Sequence, residues 1–550
     1  MKKEGVLDQS KEAINFWLCS GLLAVLLASI LSRDITRPFY GLHSWGEAGG
    51  AWKARCYLKY DLEYTNGFAV WAVGNPPREK PNRALDHPQL GRFLPAVEMA
   101  IFGINERGLR IGGVIRAVVG LLIFLQIVRG LLDEKTALLA GLLYALFPIT
   151  GYFGTGLVGE LGWDFPLSLL AVWCYLVLIR ALKKDNETKK IHKWLLGASL
   201  FLALQISWCG FFFAAAIGVH YVFHCIARRK KPEMGLLAIL IFAPLLSLML
   251  NFVIMSAGFE WDWRKIISLY QWRAAKGELR EFVWSLWFKR FWEYAVTNFT
   301  LPVLITAIGY LTFGQLLVFT TGTVKTASAT PSRRFPQFWL FLMPAVFQLL
   351  VLRGSLWQHQ YWEFPLIPFI AIATALGIML LGDLLGKIHR LAASVGVLLL
   401  LVVIFAACMG GVNYYYSIRW QSPNKIAMFK DLNKKIPPDK TLLSFEDFVV
   451  NQHPVKGPHY RPEIAWYLDR DIEVVRTIEN MERKTETGRY SHYLIPLAGP
   501  TRPIINQLSK RYEYEYVPGE EPTKDKKDRF LTAGMRAYFI FDLNSSVKGN

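Results

Sequence analysis

A single carboxylate, Glu47, stands in the stretch HSWGEAGGAWKAR just beyond the first apolar block, and Arg55 follows eight residues later. On a helix that spacing is a little over two turns, so both side chains project from roughly the same side. A carboxylate held at the membrane surface suggests a lipid-borne substrate, and if that is a sugar on a lipid phosphate, the leaving group departs without protonation. Such a transfer requires a base for the acceptor hydroxyl and cations for the departing phosphate. Glu47 is the predicted base and Arg55 the predicted phosphate contact, on one short amphipathic helix. The alternative reading is a pair of solvated loop charges.

Three further groups have the right chemistry. His87 opens the tetrapeptide His87-Pro88-Gln89-Leu90 at the far end of the same loop. Glu160 and Asp164, in GELGWDF, lie four apart on one helical face at the mouth of an apolar block, where an unpaired acid is costly. They are candidates to bind a divalent cation or position a sugar; the other reading is that of helix-start acids favoured by the helix dipole. Arg353, His359 and Tyr361, with Glu363, form a polar cluster in RGSLWQHQYWEFPLIPF, a composition shared with an aromatic membrane anchor.

The elements that must position these residues are membrane helices. Hydrophobic residues make up 53% of the 550, only 19% are charged, and the apolar residues fall into blocks near the length of about 20 that crosses a bilayer. The first block, 14–31, lacks a small-residue cleavage site and reads as a retained anchor. About eleven spans are predicted, near 13–32, 108–130, 136–153, 163–182, 193–208, 210–227, 234–256, 298–321, 336–352, 360–382 and 391–412. The run from Trp194 to Ala227 is divided at Trp208-Cys209-Gly210 so that cationic connectors alternate with the spans. Arg180 to Lys193, Arg228 to Lys231, Lys325 to Arg334, and Lys387 with Arg390 then face the cytoplasm.

This topology puts the loops 33–107 and 257–297 and the tail 413–550 outside. The 257–297 loop mixes six tryptophans with cations such as Arg264, Arg273 and Arg290, the composition of a helix in the headgroup layer. It reads either as an aromatic belt or as a gate beside a groove for a lipid phosphate. In the tail, amphipathic stretches at 423–436 and 503–511 alternate with apolar runs at 441–445, 472–475, 493–496 and 538–541, which predicts a soluble α/β domain. The fold class is therefore mainly α: a polytopic bundle, 1–412, followed by that domain. Six cysteines without paired spacing predict neither a disulfide framework nor a zinc site. The net charge of +19 is assigned to cytoplasmic anchoring and lipid phosphate, not to nucleic acid, for which there are no motifs.

The order of one span, the outer-loop acid in HSWGEAGGAWKAR, then DHPQLGRFLPAVEMAIFGINERGLRI, then GELGWDF, HQYWEFPLIPFIAIATA and HPVKGPHYRPEIAWYLDRDI resembles the polyprenyl-phosphate-dependent glycosyltransferases of the GT-C superfamily. The branch resembled contains protein O-mannosyltransferases and the aminoarabinose transferases of lipid A. The resemblance implies a bundle of eleven to thirteen helices, juxtamembrane helices in the first outer loop, an active site on the outer face and inversion at the anomeric carbon. By position Glu47 resembles the first-loop acid, Arg55 the basic residue after it, His87 the histidine of the His-Pro motif, and His359 and Tyr361 the polar pair facing the carrier phosphate. Many members carry adjacent acids where Gly46 and Ala48 here flank a single Glu47, so the base assignment and metal dependence stay open. A divalent metal ion, with Glu47, Glu160 and Asp164 as candidate ligands, is the one cofactor entertained.

The expected partners are a polyprenyl-phosphate-sugar donor, a glycan, lipid or protein acceptor, and membrane lipids. The expected location is the cell (inner) membrane, with the active site and tail facing the periplasm or exterior. The rival classes are a lipid or solute transporter, which would carry its charges at mid-membrane in two matching halves, and a non-catalytic scaffold.

Overall fold

The computed structural model describes residues 2–75, 82–155, 162–181, 186–274, 282–314, 335–450, 459–519 and 536–545. They form two compact units. The first comprises Met1–Ile35, His87–Gly91 and Leu109–Tyr415; the second comprises Thr36–Asp86, Arg92–Gly108 and Tyr416–Asn550. Most of the first outer loop thus shares a unit with the tail, whereas sequence alone groups it with the spans.

The first unit is helical, and a helix lies over every predicted apolar block. Among the described residues, six helices are long and apolar enough to cross a membrane, or seven if one bent pair counts as a single span. Two of the eleven predicted blocks are not single straight helices. The 136–153 block divides into Glu134–Leu146 and Pro148–Phe153, because Pro148 pushes Phe147 out of the helical region to φ −55°, ψ 133°. The 298–321 block does not begin a straight span: Trp284–Phe299 and the following Leu301–Gly314 meet at 103° across Thr300, whose φ is 70°. Pro302 then sits in the first turn of the new helix, where its missing N–H is tolerated. The division near Trp208 is as predicted, with Asn186–Ile206 ending before Cys209–Ala227 begins.

Burial sorts the spans. In Arg390–Ser417 only 11% of the most apolar window is covered, against 72% in Gln360–Ile388. The first is an apolar helix turned outward, as a lipid-facing one is; the second is central. The protein is a multi-pass membrane protein.

In the second unit the tail forms a five-stranded sheet. Numbering all strands in chain order, β1 is Val70–Trp71, β2 Asn82–Arg83, β3 Thr441–Ser444, β4 Val449–Val450, β5 His459–Tyr460, β6 Ile472–Val474, β7 Tyr490–Pro496, β8 Glu513–Val517 and β9 Tyr538–Asp542. The sheet order is β6-β3-β7-β9-β8, with β3 parallel to β6 and β7, and β9 antiparallel to β7 and β8. The parallel pairs need crossovers, and helices Pro462–Leu468 and Ile478–Thr485 supply them. Leu443, Tyr493, Phe541, Met481 and Leu508 fill the core. The α/β prediction for the tail agrees with this arrangement.

The first-loop helix Ser44–Lys59 belongs to the same unit and is pinned to Pro462–Leu468. The Ser44 hydroxyl donates to Glu463 Oε1 at 2.9 Å. Arg55 donates to the carbonyls of Trp466 (2.6 Å) and Ala465 (2.8 Å), lies over the Trp466 ring, and pairs with Asp469 beside Lys59. Arg470, just beyond, donates to the carbonyls of Asn433, Ile436 and Pro437, and so ties the Pro423–Lys435 helix to this corner.

Lys425 introduces a pH dependence. It is 2% exposed, its Nζ has no hydrogen-bond partner, and it faces the rings of Phe448 (5.3 Å) and Tyr538 (5.2 Å). Burial pulls its amine down to about 8, against the attraction of Glu446 and Glu463. Between that value and the ordinary lysine range the unfolded chain binds the extra proton, so the stability of this unit rises as pH rises through that window. Lys425→Met is expected to stabilise the unit at pH 7 by about 3 kcal/mol or less and to abolish the rise. Hydrogen exchange of β3 and β7 at pH 7 and pH 10 in both proteins measures this; an unchanged rise in the variant would assign it elsewhere.

Candidate functional site

Asp164 opens the helix Asp164–Ala181, where the exposed N–H groups of a first turn favour a carboxylate. It is 1% exposed, and its Oδ1 has no hydrogen-bond partner among the described residues. Opposite ends of two other helices meet nearby: Asn186–Ile206 stops, and after Ser207 and Trp208 the chain re-enters a helix at Cys209. That corner is fixed by Asn251, which donates to the Leu204 carbonyl at 2.9 Å, and by Gln205, which donates to the Ser247 carbonyl at 3.0 Å. Gly91 approaches the same corner so closely that a Cβ there would lie 2.1 Å from the Ile206 carbonyl oxygen, which explains a glycine after Leu90.

The other wall is the 3₁₀ segment Gln360–Leu366, which precedes the central helix Ile367–Ile388. Buried Asn298 fixes it, donating to the Gln360 carbonyl and to Glu363 Oε2, both at 2.9 Å, while accepting from the Tyr415 hydroxyl at 2.6 Å. Tyr361 is held facing His359, with ring centroids 5.1 Å apart and planes within 9° of parallel. Gln348, from the helix Phe335–Val351, donates to the Trp362 carbonyl at 3.2 Å.

Between these walls lies a small cleft, open at its mouth, lined among others by His87, Asp164, Ser207, Gln348, Tyr361 and Trp362. His87 is oriented by Arg273 of the helix Arg264–Arg273, whose Nη2 lies 2.7 Å from His87 Nε2. A guanidinium only donates, so Nε2 accepts and the ring carries its proton on Nδ1 while this bond is made. The cleft therefore combines an acid, a neutral imidazole backed by a cation, a phenol and an amide on a floor of aromatic rings. That set can hold a polar, hydroxyl-bearing group and a neighbouring anion.

Three of the predicted residues, His87, Asp164 and Tyr361, thus line one cleft of the first unit, and His359 stacks on the third. Arg353 starts the short helix Arg353–Gln358, its guanidinium over Phe282 (4.7 Å) and Trp284 (5.5 Å) and its carbonyl accepting from Trp287 Nε1. Glu47 is half-buried in the first turn of Ser44–Lys59, in the second unit. Arg55 shares that helix as predicted, but its guanidinium is spent on the carbonyls of Ala465 and Trp466, the task of a tether. Glu160 lies outside the described residues. Among the described residues no three His, Cys, Asp or Glu side chains gather as a metal cluster. Arg273 was named only among the cations of the 257–297 loop, and Asn298, Gln348 and Trp362 were not singled out by sequence, although a glutamine inside FWLFLMPAVFQLLV is a polar residue where burial is expensive, the signal that marks such positions.

Comparison with known proteins bears on the fold. Residues 86–248 match the dolichyl-phosphate-mannose-protein mannosyltransferase family. No curated protein matches the chain by sequence. Among solved structures, ArnT from Cupriavidus metallidurans bound to undecaprenyl phosphate is similar with a TM-score of 0.58 at 12% identity, covering 95% of this chain and 97% of that one. The Archaeoglobus fulgidus oligosaccharyltransferase in its apo form gives 0.53 at 11% identity, covering 90% of this chain and 73% of that one. By fold, the chain is similar to these two membrane proteins over nearly its whole length.

Proposed function

We propose that this protein moves a single sugar from a polyprenyl-phosphate carrier to an acceptor hydroxyl or amine on the extracytoplasmic face of the cell (inner) membrane, with inversion. The observation that carries this reading is the meeting of His87, Asp164 and Tyr361 in one largely apolar cleft of the helical unit. Similarity in fold to a protein seen with undecaprenyl phosphate supports a carrier of that type. In the reaction the acceptor oxygen or nitrogen bonds to the anomeric carbon as the bond from that carbon to the phosphate oxygen breaks. The electron pair leaves with the phosphate, and the acceptor proton goes to a base, the role for which the first-loop carboxylate Glu47 is the candidate. The His87–Arg273 pair, Arg353, His359 and Tyr361 receive the phosphate end; Asp164 faces the sugar. A glycan, a lipid or a protein is the acceptor.

The full chain in lipid nanodiscs, given undecaprenyl phosphate carrying radiolabelled sugar together with envelope acceptors, is expected to release bare undecaprenyl phosphate and transfer the label. Redistribution of an intact donor across the bilayer would instead make the protein a transporter and overturn the reading.

A further inference from the structure

The cleft contains a donor and an acceptor that the fold leaves unused. Gln348 is 4% exposed; its amide nitrogen is committed to the Trp362 carbonyl, which fixes the orientation of the amide and leaves Oε1 without a partner. Trp362 is 7% exposed, and its indole Nε1 is also without a partner. Both residues line the cleft with Asp164, whose Oδ1 is likewise unsatisfied. Buried polar atoms left unpaired cost more than the bonds they could make would contribute, so a native protein keeps them where a ligand or an ordered water completes them.

The chemistry of the three atoms selects the ligand. Two of them accept and one donates. A phosphate at ordinary pH offers oxygen acceptors, which would face Asp164 Oδ1 and Gln348 Oε1 with nothing to share. A saccharide hydroxyl donates and accepts at once, and so satisfies both kinds of atom. We infer that Gln348 and Trp362 determine sugar specificity, Gln348 Oε1 accepting from and Trp362 Nε1 donating to hydroxyls of the sugar ring, with the carrier phosphate excluded from this wall. The inference rests on the transferase reading but is tested by binding, not turnover. A site built to hydrogen-bond a hydroxyl rejects the analogue lacking it strongly, because its own groups are then stranded.

Isothermal titration of the full chain in nanodiscs compares undecaprenyl phosphate with undecaprenyl phosphate carrying mannose, glucose, arabinose or 4-amino-arabinose, and with deoxy analogues of the best. Wild type is expected to bind at least one sugar-bearing carrier more tightly than the bare carrier. Trp362→Phe, which keeps the ring and deletes the N–H, and Gln348→Met are each expected to weaken that carrier about five- to tenfold while leaving the bare carrier within about twofold. One deoxy analogue should reproduce the loss in wild type and lose nothing further in the matching variant. Equal weakening of bare and sugar-bearing carriers would make the two residues merely structural. No weakening at all would mean that water completes them, and equal wild-type affinity for every carrier would place no sugar there; each overturns the inference. Absence of turnover with intact discrimination would overturn only the transferase reading.

Discussion

Glu47→Gln is expected to lower kcat by about 10²- to 10⁴-fold with the affinity for the carrier little changed, because the amide keeps the shape and removes only the proton acceptor. Glu47 stands in the first turn of Ser44–Lys59, and a helix pinned by Ser44 and Arg55 holds it in one place. Initial rates with labelled donor, at saturating donor and acceptor, measure the effect. Turnover within about threefold of wild type would remove Glu47 from the role of base.

The second large effect is structural. Asn298→Leu is expected to destabilise the helical unit by about 3 kcal/mol or more, since it strands the Glu363 carboxylate and the Tyr415 hydroxyl, both fully buried, without their shared partner. It also frees the segment that carries Tyr361, so carrier binding should weaken along with thermal stability in detergent. Replacing Glu363 as well, in Asn298→Leu with Glu363→Met, should recover more than half of the lost stability, because an apolar pair of similar volume no longer buries an unmatched carboxylate. Additive losses in the double variant would show that the network is not the cause.

Much of the helical unit was legible because hydropathy and connector charge are local properties, as the division at Trp208 illustrates. The bend at Thr300 was not, since Asn298, Thr300 and Pro302 read as unremarkable interruptions until the Asn298 side chain is seen to serve Glu363 and Tyr415 from afar. In the tail, β3, β6, β7 and β9 coincide with apolar runs. Strand β8 was missed because Glu513–Val517 alternates glutamate with tyrosine at the sheet edge and contains no such run. Asp164, His87 and Tyr361 could be found from chemical type at helix boundaries. Arg55 has a type and spacing equally suited to phosphate and to carbonyl oxygens, and its partners lie 410 and 411 residues away, a distance at which no spacing argument operates.

The same long reach has a consequence for biosynthesis. The helix Ser44–Lys59 is made 410 residues ahead of its partner segment, so Glu463, Ala465, Trp466 and Asp469 follow only after the intervening apolar helices. Until then Arg55 and Lys59 have no counterparts, and closing so large a loop is slow. This helix must therefore wait, unfinished, for synthesis to reach residues 463–469, and it is exposed to proteases in any chain that terminates before them.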